Sequence, residues 1–160
     1  MTITIGFDPG LTGAVAVLSG ERLVDVADLP VHKVGKKRRL DAAALLASPW
    51  VTERVDTVVI ESLHAMGING SQANFSQGHS LGVIEGVCAG MKVEFITPQA
   101  WKAEHPALVG SRAEQKVAGR LLCQRLWPDF APSFARAKDD GRADAALIAL
   151  AWVRKQERDA

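Results

Sequence analysis

Three acidic residues stand at positions where an unpaired carboxylate is costly. Asp8 and Glu61 each follow directly on a run of apolar residues with the length of a buried strand. Asp144 shares one face of a predicted helix with Ile148, which lies four residues later. Because a buried carboxylate must be paired or bound to a cation, these three residues are candidates for chemistry rather than for packing.

A fourth acid can join this group from the same helix. Asp140 precedes Asp144 by four residues, so the two side chains stack on one face if the helix extends that far. Two alternatives stay open. Asp140 can instead cap the helix, and Asp139 can supply the fourth carboxylate, although it points about 140° away at ~100° per residue.

Converging carboxylates with no obvious Lys or Arg between them repel one another, and a divalent cation removes that repulsion. Oxygen ligands of this kind suit Mg²⁺, with Mn²⁺ as a substitute, rather than zinc. Two such ions about 4 Å apart can activate a water molecule and stabilise the leaving oxygen of a phosphodiester. The acids therefore predict metal-dependent phosphodiester hydrolysis.

Runs of apolar and β-branched residues predict the elements that position these acids. Strands are expected at residues 2–7, 12–18, 22–29, 57–60 and 92–96, and helices at residues 40–47, 72–89, 99–102, 111–126 and 141–155. Three strands with short connections, followed by two strands separated by helices, predict an α/β fold with a mixed five-stranded sheet flanked by helices. The length of 160 residues predicts a single domain, residues 1–160.

Two of the predicted helices carry a further pattern. In helix 111–126, Val117, Leu121 and Leu122 are the apolar residues expected to face inward. Glycines recur every four residues at positions 78, 82, 86 and 90. Because glycine weakens a helix, the expected reason for this spacing is close approach of another helix or of a partner chain.

The formal net charge is +1, yet the basic residues are unevenly distributed. Five of the 19 Lys and Arg residues fall within residues 33–39, which contain no acid: Lys33, Lys36, Lys37, Arg38 and Arg39. A dense cluster of cations is typical of phosphate contacts, and a solvated loop is the alternative.

Several classes of protein are excluded by composition. No run approaches the ~18 apolar residues of a membrane span, so no membrane partner is expected. The first residues lack the basic segment and apolar core of a secretory signal. Cys88 and Cys123 stand apart in apolar surroundings, which is typical of reduced core thiols in a cytoplasmic protein.

The segments around the acids resemble the three acidic motifs of RuvC-type Holliday junction resolvases, and most closely the short phage-borne members. These segments are IGFDPG (residues 5–10), VIES (residues 59–62) and RADAALIA (residues 142–149). Further similarity lies in residues 80–87, 97–98, 101–102 and 110–116. The resemblance covers nearly the whole chain in order.

This resemblance implies an RNase H-like fold and a homodimeric, Mg²⁺-dependent endonuclease that acts on branched DNA, the four-way (Holliday) junction. It makes Asp8, Glu61 and Asp144 metal-binding catalytic acids in a site with two ions. Family members usually carry a fourth group three residues before the last acid, where this chain has Gly141. Asp140 is the expected substitute. The expected setting is the cytoplasm of a bacterial cell or of a phage-infected host.

The resemblance also places DNA near the acids, with Lys102, Arg112 and Lys116 as expected phosphate contacts. The charge density of the basic segment makes four of its residues further candidates for DNA binding: Lys36, Lys37, Arg38 and Arg39.

Family members place an aromatic residue just beyond the second acid, but residues 63–66 contain none. Phe75 is a candidate replacement, and a residue of the helix core is the more ordinary interpretation. His64 and His79 could assist a water molecule as a general base. A structural role is commoner for such histidines, so neither is assigned to catalysis.

Other functions fit parts of the same pattern. A nuclease of this fold could instead cleave flaps or other branched DNA, because a fold does not determine a substrate. A non-catalytic nucleic-acid-binding module would have no need of inward carboxylates. Residues 8–13 also resemble the phosphate loop of actin-like ATPases, but those enzymes need a second domain, so no nucleotide cofactor is expected.

Overall fold

A mixed sheet of five strands organises the chain. In this computed structural model the structure describes residues 1–52, 54–62 and 70–160. The strands in chain order are β1 (Ile3–Asp8), β2 (Ala14–Ser19), β3 (Arg22–Asp28), β4 (Val31–Val34), β5 (Lys37–Leu40), β6 (Thr57–Glu61) and β7 (Val93–Ile96). The sheet has the order β3-β2-β1-β6-β7. Because β1, β2 and β3 pair antiparallel while β6 and β7 join in parallel, the predicted mixed sheet is confirmed.

Helices lie on both faces of this sheet. They are α1 (Ala42–Leu46), α2 (Pro49–Thr52), α3 (Ser71–Val87), α4 (Pro98–Ala103), α5 (Arg112–Leu126) and α6 (Asp140–Asp159), with 3-10 turns at Pro128–Phe134 and Ala137–Asp139. The short helix α2 and the start of α6 at residue 140 were not predicted. No helix among the described residues is long and apolar enough to cross a lipid bilayer.

Successive side chains of β1 point to opposite faces of the sheet, so they contribute to two separate layers of the core. Ile5 and Phe7 point to the face covered by α1 and α3, where Phe7 packs edge-on against Trp50 with ring centroids 5.4 Å apart. Gly6 points to the other face. A Cβ atom on Gly6 would lie 2.3 Å from the carbonyl oxygen of Ala145 and 2.9 Å from Cβ of Ala149. Helix α6 therefore lies directly on β1, and this contact leaves no room for a side chain.

The expectation for the inward face of α5 is wrong for two of its three residues. Val117 and Leu121 are 48% and 51% exposed, so they do not face inward. The inward face of α5 carries small residues instead, Gly119 and Cys123, because this face packs closely against α6. Leu122 is partly buried and packs against the core, so of the three predicted residues only Leu122 faces inward.

The basic segment at residues 33–39 is a β-hairpin rather than a loop. Strands β4 and β5 pair antiparallel, with Val34 opposite Lys37. Gly35 has φ +62°, and among the described residues only glycines have positive φ. A two-residue turn with positive φ at its first central position has the twist that suits a hairpin. The cations are therefore displayed on a defined element.

Candidate active site

Parallel pairing brings Asp8 and Glu61 to one edge of the sheet. Phe7 on β1 lies opposite Ile60 on β6, so the residues that follow them end neighbouring strands side by side. The carboxyl ends of parallel strands are where open α/β sheets place ligand sites. Asp144 reaches the same region from α6, because the adjacent Ala145 touches β1 at Gly6.

Electrostatics shows that these three carboxylates act on one another. Burial raises the pKa of Asp8 well above its usual range, and the charges of Asp144 and Glu61 raise it further. Burial, and then the charge of Glu61, raises the pKa of Asp144 to about 7. Glu61 thus makes both aspartates harder to ionise, and Asp144 does the same to Asp8, as expected for carboxylates near one another in a partly buried site. The structure brings together three of the four predicted catalytic acids in this way.

Glu61 is held in place by an indole that the sequence did not identify. Nε1 of Trp101 donates a hydrogen bond of 2.8 Å to Oε1 of Glu61. Trp101 is buried in the core, and its ring packs at 6.2 Å from that of His105. Nε2 of His105 lies 2.9 Å from the carbonyl oxygen of Leu147 on α6. The orientation of Glu61 is therefore constrained by a partly buried hydrogen bond from a core residue.

Asp140 lies beside the acidic cluster, which is formed by Asp8, Glu61 and Asp144. It is paired with two cations from α5. Lys116 Nζ is 3.1 Å from Oδ2 of Asp140, and Arg120 contacts Oδ1. The charge of Asp140 also contributes to the raised pKa of Asp144. The expectation that no Lys or Arg stands among the acids is therefore wrong, because α5 packs beside α6 and extends its long side chains over the end of that helix.

Asp139 has a structural role. It is 1% exposed. Its Oδ2 accepts a 2.8 Å bond from the backbone N–H of Arg136, and its Oδ1 accepts one of 2.8 Å from the guanidinium of the same residue. The hydrogen bonds of Arg136 hold the pKa of Asp139 below its usual range. Asp139, and not Asp140, occupies the position before α6, although its side chain makes no capping bond there.

Gly141 lies against Asp8. A Cβ atom at this position would be 2.7 Å from the carbonyl oxygen of Thr12 and 3.1 Å from Oδ2 of Asp8. Helix α6 therefore approaches the β1–β2 connection too closely for a side chain three residues before Asp144. This contact gives a physical reason for the glycine at that position.

The donor set of the site suits a hard divalent cation. Asp8, Glu61 and Asp144 offer only carboxylate oxygens, and a cation would offset the negative charge that raises the pKa of Asp8 and of Asp144. Within residues 1–52, 54–62 and 70–160, no three His, Cys, Asp or Glu side chains are already grouped closely enough to hold a metal ion.

The predicted DNA contacts fall into two groups. Lys116 and Arg112 lower the pKa of Asp8, and Lys102 lowers that of Asp144, so all three lie near the acids. Lys102 also donates to Oε1 of Gln115 at 3.2 Å. The second group, Lys36, Lys37, Arg38 and Arg39, lies on the β4–β5 hairpin.

The structure also shows the surroundings of Phe75 and His79, which the sequence analysis considered as possible site residues. Phe75 is 65% exposed, so its interpretation as a helix-core residue is wrong. His79 packs against Phe75, with ring centroids 6.4 Å apart. His64 lies outside the described residues.

No protein-family model and no curated protein matches this sequence. Solved structures do match its fold. The chain superposes on Thermus thermophilus RuvC in complex with a Holliday junction substrate with a TM-score of 0.67, at 19% identity over 98% of this chain and 96% of the other. A second Thermus thermophilus RuvC structure matches with a TM-score of 0.51 and 18% identity, over 98% and 97% of the two chains. The chain therefore has the RuvC fold, an RNase H-like mixed sheet with helices on both faces.

Proposed function

We propose that this protein is a metal-dependent endonuclease that resolves four-way DNA junctions. The observation that carries the proposal is the convergence of Asp8, Glu61 and Asp144. Their negative charges repel one another at the carboxyl edge of a RuvC-type sheet. Buried carboxylates that destabilise one another need a functional reason. A solved structure with this fold, at 19% identity, is bound to a Holliday junction substrate.

Asp8, Glu61 and Asp144 would hold Mg²⁺, or Mn²⁺ in its place, and two ions are proposed for the site. When bound, such ions lower the pKa of an attacking water molecule and neutralise charge on the phosphate and the leaving oxygen. Asp8 and Glu61 would share one ion, with Glu61 oriented by Trp101. Cleavage would then leave a 5′-phosphate and a 3′-hydroxyl.

Asp140 is proposed as the fourth carboxylate. It precedes Asp144 by one helical turn, and position 141 has no room for a side chain. Lys116 and Arg120 would have to release the Asp140 carboxylate toward the ions, and incoming phosphates offer these cations an alternative partner. On this proposal, substrate binding and completion of the site are linked.

Lys102, Arg112 and Lys116 would bind the phosphates on either side of the cleaved bond. Each lies near enough to the acids to affect the pKa of Asp8 or Asp144. Cations at this distance also reduce the repulsion between the acidic cluster and a polyanionic substrate. The cationic hairpin would extend the contact with DNA beyond the site.

A homodimer is proposed through the exposed glycine face of α3. Gly78, Gly82 and Gly86 are exposed, and a Cβ atom on any of them would meet open space. A helix face without side chains allows the backbone of a second helix to approach closely. Two copies related by a two-fold axis would present two sites to the two symmetric strands of a junction.

Cleavage of a synthetic four-way junction tests the proposal. The wild-type protein and Asp8→Asn are incubated with the junction, a fork, a flap and a linear duplex, each with Mg²⁺, with Mn²⁺ or with EDTA. We expect paired symmetric nicks near the branch point, in wild type only and only with metal. Asp8→Asn should bind the junction with nearly unchanged affinity, because binding depends on cations elsewhere.

The substrate panel separates the alternatives. Preferred cleavage of the flap or fork would replace junction resolution with a broader branched-DNA nuclease activity. Tight junction binding without cleavage under either metal would identify a non-catalytic binding module. Cleavage retained in Asp8→Asn would remove Asp8 from the mechanism.

A further inference from the structure

A buried histidine joins α4 to α6. His105 lies two residues after the end of α4, and its backbone N–H donates a hydrogen bond of 3.0 Å to the carbonyl oxygen of Lys102. Its Nε2 is 2.9 Å from the carbonyl oxygen of Leu147 on α6. Because a carbonyl oxygen accepts and cannot donate, Nε2 carries a proton and donates it to α6.

The other ring nitrogen of His105 has no hydrogen-bond partner in the part of the chain that the structure describes. Nδ1 is buried, and the whole residue is only 2% exposed. A buried polar atom without a partner costs stability, so an apolar side chain of similar size would suit this position better on stability alone. The histidine therefore needs a reason other than packing.

That reason is not a positive charge. Burial lowers the pKa of His105 below its usual range, and the charge of Arg154 lowers it further. The hydrogen bond to Leu147 and the carboxylates of Glu104 and Glu21 act in the opposite direction without offsetting burial. The ring is therefore neutral at pH 7, and it contributes one hydrogen-bond donor and an aromatic surface.

The aromatic surface of His105 leads to the first of two acids. Its ring packs against the indole of Trp101, with centroids 6.2 Å apart at an interplanar angle of 60°. Nε1 of that indole donates the 2.8 Å hydrogen bond to Oε1 of Glu61. Any movement of His105 opens space beside the indole, and the indole is what holds the Glu61 oxygen.

The donor of His105 leads to the second acid. Leu147 follows Asp144 by three residues on α6, which corresponds to about 4.5 Å along the helix axis. The negative charge of Glu61 raises the pKa of Asp144, so these two carboxylates repel each other when both are ionised. Since they stand on different elements, a link between those elements resists the repulsion.

We propose that His105 is a positioning residue that fixes the spacing between the carboxylates of Glu61 and Asp144, through Trp101 on one side and the Leu147 carbonyl on the other. This inference rests on the proposed function, in which both acids hold a divalent cation. Groups behind the ligands of a metal site strengthen its metal affinity by orienting those ligands. A neutral donor suits this role, because it adds no positive charge beside a site that accepts a cation.

Substitutions of His105 separate its donor from its volume. His105→Gln places an amide N–H near the position of Nε2 and keeps the hydrogen bond to Leu147. His105→Leu and His105→Met fill the space but remove the donor. We expect both apolar variants to stay folded with melting temperatures close to that of wild type, because each also removes the unpartnered Nδ1.

The first readout needs neither metal nor DNA. The indole N–H of Trp101 is identified in a proton–nitrogen correlation spectrum by its loss in Trp101→Phe, and its exchange with solvent is measured in EDTA. We expect exchange to be about 2- to 10-fold faster in the apolar variants, the change that loss of one hydrogen bond produces. His105→Gln should exchange at the wild-type rate.

The second readout is Mn²⁺ affinity, measured by isothermal titration calorimetry at one pH. We expect the apolar variants to bind Mn²⁺ about 10-fold more weakly, at the lower end of the effects of residues that orient metal ligands, and His105→Gln to bind as wild type does. Glu104→Gln is the matched control. It weakens a different contact with α6, the 2.6 and 2.7 Å hydrogen bonds from Arg158, and should leave both readouts unchanged.

Wild-type indole exchange and wild-type Mn²⁺ affinity in the apolar variants would overturn the positioning role, even if the wild-type protein cleaves four-way junctions. Equal losses in His105→Gln and His105→Leu would also overturn it, because the effect would then follow from packing rather than from the donor. Conversely, losses that His105→Gln restores, in a protein that cleaves no branched DNA, would support the positioning role and reject the nuclease. The two proposals can therefore fail separately.

Discussion

Trp101 and Glu61 are joined by a 2.8 Å hydrogen bond from the indole N–H to Oε1 of the carboxylate. The donor is fixed, because Trp101 is only 1% exposed and packs among the residues beneath α6. One oxygen of the Glu61 carboxylate is thereby held by the protein itself. Neutral groups that orient metal-binding carboxylates in this way strongly affect both metal affinity and activity.

Trp101→Phe keeps the buried ring and removes the N–H. We expect cleavage to fall about 10- to 100-fold and half-maximal activity to require more Mg²⁺, with junction affinity unchanged. Single-turnover cleavage across a range of Mg²⁺ concentrations measures both effects. Trp127→Phe is the control, because it removes an indole N–H that donates to the carbonyl oxygen of Glu21. A wild-type rate and Mg²⁺ dependence in Trp101→Phe would contradict the positioning role.

Asp144→Asn should stabilise the metal-free protein at alkaline pH. The pKa of Asp144 is raised from 3.8 to about 7, so between these values the folded state binds more protons than the unfolded state. Stability contributed by this group therefore falls as pH rises through that window. At pH 8 we expect the Asn variant to melt a few degrees above wild type, since ~1 kcal/mol corresponds to about 2–4 °C at this size.

The gain should be much smaller at pH 5, where wild-type Asp144 is already largely protonated. Thermal melts in EDTA at the two pH values measure the difference, with the exposed Asp129→Asn as control. An equal gain at both pH values would show that charge repulsion is not its origin.

Added Mg²⁺ should stabilise the protein more as the pH rises. Metal binding requires ionised ligands, and the pKa values of Asp8 and Asp144 are both raised. A ligand that binds only the folded state raises the melting temperature according to its affinity. We therefore expect a larger shift at pH 8 than at pH 6, and none in Asp8→Asn. A pH-independent shift would place Mg²⁺ binding elsewhere.

Asp140→Asn should reduce cleavage, whereas Asp139→Asn should reduce the stability of the fold. If Asp140 is the fourth carboxylate, its Asn variant loses at least about 10-fold in cleavage with little change in melting temperature. Asp139→Asn instead removes the negative charge and one of the two oxygens that accept hydrogen bonds from Arg136, and it should cost about 1–3 kcal/mol of stability, while the folded fraction keeps its activity. The opposite pattern would make Asp139 the ligand. Melts combined with cleavage rates per folded molecule separate the two outcomes.

Gly82→Arg should convert a dimer into monomers. The glycine faces open space on α3, so an arginine fits the single chain and blocks only a second helix. Gln156→Arg places the same side chain on an exposed part of α6 and serves as control. Sedimentation velocity gives the mass of each variant. A wild-type protein that is monomeric at the concentrations used for cleavage would reject the proposed interface.

The sheet and its acidic edge could be predicted because their signals are local. Compact β-branched runs identify β1 and β6, and an acid at the end of each run is placed by strand geometry alone. The approach of α6 to Gly6 leaves only a weak trace, an alanine-rich helix, but the inward side of α6 was still evident from its apolar period.

Contacts between elements distant in sequence could not be predicted. Trp101 reaches Glu61 across 40 residues, and the pairing of Asp140 with Lys116 and Arg120 depends on how two helices pack. Neither contact has a sequence period that would reveal it. The exposure of Val117 has the same cause, since glycine and cysteine on the opposite side of α5 allow a closer approach to α6 than larger residues would.

The placement of Asp144 on α6 has a consequence for when the site can exist during synthesis. Asp8 is made early, and α6 follows every other described element in chain order. At about 5–20 residues per second, roughly 7–27 s separate translation of these two acids. During that interval one face of the sheet lacks its covering helix, and the cluster lacks its third carboxylate. On the proposed function, a ribosome-bound chain of this kind would have no complete cleavage site until translation has delivered the helix that also completes the core.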